Sequence, residues 1–158
     1  MTAPVPPSSA GGSGGAGRLP LYRTFAFQHP DIAGPAGSGL QVRGRGDLAM
    51  VDVGESVRQG IFLLLTTIPG ERVMRPDYGC DLHQLVFSPN DETTAGLAIH
   101  YVRRALDQFE PRAEVVRVDA GANPDDPGRL DVTLDYRVRA TQQDGQLTVS
   151  ISLQGEPT

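Results

Sequence analysis

The chain has 158 residues, 14 of them basic against 19 acidic, for a net charge of -5. That is room for one domain and a tail, and it excludes a general nucleic-acid binder, because phosphate neutralisation needs a basic surface. A single cysteine, Cys80, excludes an intramolecular disulfide and a multi-cysteine metal cage, and the longest apolar run, Ile61 to Leu65, falls far short of the ~20 residues of a membrane span. All 14 basic residues are arginine, so every cation is capable of bidentate pairing.

Residues 1–38 read as a flexible Pro/Gly/Ser-rich extension and residues 39–158 as the folded body. The first 20 residues are almost entirely Pro, Gly, Ser and Ala, too little apolar area to offset their ordering entropy. Leu21 to Phe27 alternates loosely, as a short strand or a segment that orders on a partner, before the Gly/Pro-rich stretch Ala33 to Gly39.

Leu48 to Val51 predicts a short strand, and Asp52 with Glu55 has the spacing of a capping box. Val53, Val57, Ile61 and Leu64/Leu65 then follow helical spacing to Thr67, where Ile68-Pro69-Gly70 ends the helix. Glu71 to Phe87 shows no sustained period and reads as an ordered loop. Ser88-Pro89-Asn90-Asp91 offers a cap, a first-turn proline and acidic groups to a second helix, with Ala98, Ile99, Val102, Ala105, Leu106 and Phe109 as its apolar stripe.

Pro111 forces Glu110 out of the helical region, so this helix stops with a carboxylate at its negative pole. Arg112 is the nearby cation, but the rigid proline leaves open whether Glu110 and Arg112 face each other or another chain. Val115 to Ala120 predicts a strand, followed by a turn-rich loop over Asn123 to Gly128. Leu130, Val132, Leu134, Tyr136 and Val138 alternate strictly with polar residues, and Asp144-Gly145 reads as the hairpin turn into Leu147, Val149, Ile151 and Leu153. Two helices followed by a three-stranded antiparallel sheet make an α+β domain.

Three blocks stand in order: Leu64 to Arg72 (LLTTIPGER), the loop Met74 to Leu82 (MRPDYGCDL) and Phe109-Glu110-Pro111-Arg112. Together they resemble the baseplate wedge family of contractile injection machines, typified by gene product twenty-five of T4-type phages, with type six secretion and extracellular injection relatives. The resemblance covers about residues 45 to 154. It implies a non-enzymatic structural protein without cofactor or metal, present in six copies, that links large wedge subunits and the inner tube or hub to the first ring of sheath. It implies partner contacts at Glu110, Pro111 and Arg112, where the family carries the same tripeptide, and strand addition by the sheath along Leu147, Val149, Ile151 and Leu153. Assembly in the cytoplasm and incorporation into a phage-tail-like particle follow from the same resemblance. The long N-terminal extension and the absence of tryptophan depart from it, Phe109 standing where relatives often have a larger aromatic.

Glu71-Arg72 is a candidate partner contact, although adjacent charges after a Pro-Gly turn also suit a local loop-ordering network. Cys80-x-x-His83 is half a zinc motif without a second half, His29 and His100 lying elsewhere. The family has often been called lysozyme-like. A glycosidase needs two facing carboxylates, one kept protonated, and Glu71, Asp77, Asp81 and Glu110 each have an arginine nearby that favours the ionised form. A small regulatory adaptor on the same fold is a further alternative, which the Pro-Gly-Glu-Arg and Glu-Pro-Arg blocks argue against.

Overall fold

A computed structural model describes residues 24–28, 39–42, 44 and 46–155. The expected tail, Leu21 to Arg23, His29 and Ala33 to Ser38 lie outside the described residues. Two antiparallel pairs precede the body: β1 (Thr24–Phe25) with β4 (Met50–Val51), and β2 (Phe27–Gln28) with β3 (Gly39–Leu40). The segment ending at Phe27, left open between strand and docking arm, is thus strand at Thr24, Phe25 and Phe27. Ala26 joins the pairs, donating to Ala49 O at 2.7 Å and accepting from Gln41 N at 3.0 Å. Leu48 makes an isolated bridge to Val42, so the expected strand over Leu48 to Val51 shortens to its last two residues.

Helix α1 (Val53–Thr66) begins as its capping box demands, the Asp52 carboxylate accepting from Glu55 N at 2.9 Å. Its apolar spacing buries Val53, Val57, Ile61, Leu64 and Leu65, joined by Phe62 and Ser56. Beyond it the expected loop is broken by a 3-10 turn, Asp81–Leu85. Leu82 and Leu85, three residues apart, match its threefold period and are both buried, which a search for longer repeats misses.

Helix α2 (Glu92–Phe109) is capped by Asp91, whose carboxylate accepts from Thr94 N at 2.8 Å, and not by Ser88. Pro89 therefore lies before the helix, its carbonyl accepting from Thr94 Oγ1 at 2.6 Å. Ala98, Val102, Ala105 and Leu106 are buried, with Ile99 and Phe109 partly buried against the same core.

The three-stranded sheet has the order β5 (Ala113–Ala122), β6 (Arg129–Val138), β7 (Gln143–Ser152), all antiparallel. The alternation of β6 buries all five of its apolar residues in the core shared with α1 and α2. The hairpin turn falls at residues 139–142, with Gln142 at φ 56, and not at Asp144-Gly145, which are paired residues of β7. Both have cross-strand reasons for their identity: the Asp144 carboxylate accepts from Arg137 Nε at 2.7 Å, and Gly145 lies beneath the Tyr136 ring, where a Cβ would stand 2.6 Å from Tyr136 Cζ. Leu153 lies just beyond β7, and its N–H donates to Gly128 O at 2.9 Å.

Candidate functional site

Pro111 ends α2 as the sequence requires, and the chain turns so that Arg112 comes back over Glu110. Arg112 Nε donates to Glu110 Oε1 at 2.6 Å and Arg112 Nη2 to Oε2 at 2.8 Å, a bidentate pair. Glu110 is 6% exposed, so the carboxylate at the helix's unfavourable pole is compensated inside the chain. The hydrogen bond to Glu110 outweighs partial burial and holds the Arg112 pKa above its ordinary value. Arg112 Nη1 also reaches Ser56 Oγ on α1 at 3.4 Å. Gly60, one turn further along α1, completes the seat, because a Cβ there would stand 2.7 Å from Glu110 Oε2. Ser56 and Gly60 carry no sequence signal pointing to Glu110, being 54 and 50 positions away from it.

The two other sequence blocks meet this pair. The Glu71 carboxylate accepts from Ile68 N at 3.1 Å and so orders its own turn, the local role that was one of its two readings. Arg72 lies over the Tyr78 ring, 4.5 Å from its centroid, and that ring is 5.3 Å from the ring of Phe109. Tyr78 stands in the loop block of the sequence without being singled out there, although it joins the loop to Phe109, the residue before Glu110. Burial is the largest cause of its raised pKa, with Arg72 opposing and Glu110 assisting the shift. Gly79, at φ +140, fits against Thr67 O at a place where a Cβ would approach to 2.5 Å. Arg72, Tyr78, Phe109, Glu110 and Arg112 are thereby brought together around the C-terminal end of α2.

Residues 51–143 match the baseplate wedge protein gp25 family. The chain belongs to that family. Three solved structures are similar to it. A chain from Geobacter sulfurreducens described as a tail lysozyme is 37% identical, with a TM-score of 0.64 over 70% of this chain and all of that one. A chain of the pyocin R2 baseplate after contraction is 30% identical, with a TM-score of 0.52 over 63% of this chain and 96% of the other. A chain of the anti-feeding prophage baseplate shares the fold at 22% identity, with a TM-score of 0.63 over 75% of this chain and 86% of the other. A search of curated proteins gives no match. As a gp25-family member the chain is a structural component of a baseplate in a phage-tail-like machine.

Within this gp25-family fold three of the four residues expected to accept a strand, Leu147, Val149 and Ile151, fall on an edge strand. β7 pairs with β6 on one side, and among the described residues no strand pairs with its other side. Leu147 is buried beneath the sheet with Val149 and Ile151 partly so, while Leu153 follows the strand. The four carboxylates weighed for hydrolysis are not gathered. Glu71 bonds its own turn, Asp81 accepts from Gln84 Nε2 at 3.0 Å, Glu110 is held by Arg112, and Asp77 is exposed on the loop. A cavity of about 270 Å³ lies elsewhere, between the start of α1 and the β6–β7 hairpin, lined in part by Asp52, Glu55, Tyr136 and Asp144. All three of its carboxylates are engaged, Asp52 as the α1 cap, Glu55 with Arg58 and Asp144 with Arg137. Burial pushes the Cys80 thiol up to about 11, which keeps it protonated and a poor metal ligand. Among the described residues no helix is long and apolar enough to cross a membrane.

Proposed function

We propose that this chain starts the sheath of a contractile machine by accepting a strand from the first sheath ring along β7. The β7 edge carries this reading. It is ten residues long and has one charged side chain, Asp144, and no proline, whereas the opposite edge, β5, is guarded by Glu114, Arg117 and Asp119 and by an irregularity between Val115 and Arg117. Long, flat, uncharged edges invite strand pairing, and charges and bulges discourage it. An incoming strand would satisfy the free backbone groups of β7 and extend the apolar row of Leu147, Val149 and Ile151.

The same reading places the chain in six copies between the large wedge subunits, the inner tube or hub and the sheath. The end of the molecule built around Glu110, Pro111, Arg112, Glu71 and Arg72 would face the wedge. Its role is mechanical, with the added strand transmitting load when the sheath contracts. Assembly would take place in the cytoplasm before incorporation into the particle. Catalysis forms no part of the proposal, since a retaining or inverting glycosidase needs two carboxylates facing across a cleft, one with a raised pKa.

A proline scan from Leu147 to Ile151 tests it. Proline at positions whose N–H points away from β6 should leave the monomer's melting unchanged and prevent sheath nucleation on purified baseplates. Normal sheathed particles from those variants would sink the strand-addition reading. Release of soluble fragments from purified peptidoglycan by the isolated protein would sink the non-enzymatic one.

A further inference from the structure

Val73 and Met74 are 93% and 90% exposed at the tip of the loop after α1. Single exposed apolar residues are ordinary on protein surfaces. This pair stands on an unusually well-tied base. Gly70 N donates to Pro76 O at 2.8 Å, Arg75 N to Arg72 O at 3.1 Å, Tyr78 N to Arg75 O at 3.1 Å and Cys80 N to Thr67 O at 3.0 Å. A tip already ordered in this way loses little conformational entropy when it docks.

The charge beside it is as informative. Arg72 and Arg75 flank the two apolar residues, and among the described residues neither forms an ion pair with a carboxylate. Of the two carboxylates on the same loop, Glu71 accepts from Ile68 N and Asp77 stands beyond Pro76, so the residues immediately flanking the apolar pair are both basic.

We propose that Val73 and Met74 form a plug that enters an apolar pocket rimmed by carboxylates on a protein partner in the baseplate, with Arg72 and Arg75 meeting the rim. The proposal rests on the wedge-docking role given above and moves its contact outward. Glu110 and Arg112 are spent on each other, and their part is to seat the loop base through Phe109 and Tyr78. An anionic bilayer is the poorer occupant, because a whole myristoyl chain gives only marginal membrane binding and these two side chains are smaller.

This chain and the large wedge subunits of the same particle supply the test, with affinity measured by biolayer interferometry across a salt series. The double variant Val73→Ser/Met74→Ser should bind about tenfold more weakly. Arg72→Gln/Arg75→Gln should bind more weakly with a flatter salt dependence. The apolar variant should melt close to wild type, since Val73 and Met74 lie outside the core, and the arginine variant slightly lower, since Arg72→Gln gives up the contact with the Tyr78 ring. Affinity of the apolar variant within about twofold of wild type would overturn the plug while leaving docking intact. Failure of the wild-type chain to bind would remove the docking role itself. Wild-type binding to phosphatidylglycerol vesicles, lost in the apolar variant while wedge affinity stays unchanged, would replace the protein pocket with a membrane.

Discussion

Gly60 and Glu110 are in direct apposition: a methyl group on Gly60 would lie 2.7 Å from Glu110 Oε2 and 3.2 Å from Arg112 Nη2. A glycine in the middle of a 14-residue helix is ordinarily a weakness, costing roughly 0.5–1 kcal/mol relative to alanine. Here it is the gap through which α1 approaches the ion pair.

Gly60→Ala should therefore destabilise the protein in spite of alanine's higher helix propensity. The carboxylate must swing away from the new methyl group and give up part of its bidentate geometry, for an expected loss of about 1–3 kcal/mol. Urea unfolding measures it, and a gain in stability would show that the pair relocates at no cost.

Truncating the two partners should be unequal. The Glu110 side chain is 8% exposed and that of Arg112 is 48% exposed. Arg112→Ala strands a nearly buried carboxylate, at a cost of about 3 kcal/mol, whereas Glu110→Ala leaves a cation that water still reaches, at about 1 kcal/mol. A loss of docking in either variant thus needs a melting curve beside it. The reverse order in urea would contradict this burial asymmetry.

Stability should fall on acidification through two aspartates. Hydrogen bonds from Thr94 lower the pKa of Asp91 below 3.8, and the hydrogen bond from Arg137 does the same for Asp144. A depressed folded pKa contributes stability that is present above the unfolded value and is lost as pH falls through the folded one. The decline thus begins near pH 4 and continues below it. Asp91→Asn keeps an acceptor for Thr94 but removes the titration, so its stability should change less between about pH 5 and pH 2.5 than that of wild type. Equal changes in urea titrations would exclude Asp91 as a contributor.

Cys80 should resist alkylation in the folded protein. It is buried, and its thiol is pushed up to about 11, so almost no thiolate exists near neutrality. Iodoacetamide at pH 8 should label it only in denaturant, as read by intact mass. Rapid labelling of the native protein would mean that the loop over Cys80 opens readily.

The parts of this chain that were legible in its sequence are those set by local rules. The α1 cap at Asp52, the stop at Pro111 and the alternation of β6 depend on residues a few positions apart and on the periods of helix and strand. Two misreadings involve contacts with residues outside the segment concerned. Asp144-Gly145 has the composition of a tight turn, but Gly145 answers to Tyr136 and Asp144 to Arg137, both on the neighbouring strand. Asp91 outcompetes Ser88 as the α2 cap, while the Asn90 amide is drawn to the carbonyls of Pro127 and Arg129.

The sequence by itself determined the two long helices, the three long strands and the family, because periodicity and short motifs are written along the chain. Only the tertiary structure decided that Glu110 faces Arg112 under Gly60, that β7 presents the unguarded edge and that Val73 and Met74 stand outermost. Gly60 and Glu110 meet across 50 residues and β7 meets β6 by register, and packing, not spacing, sets such facts.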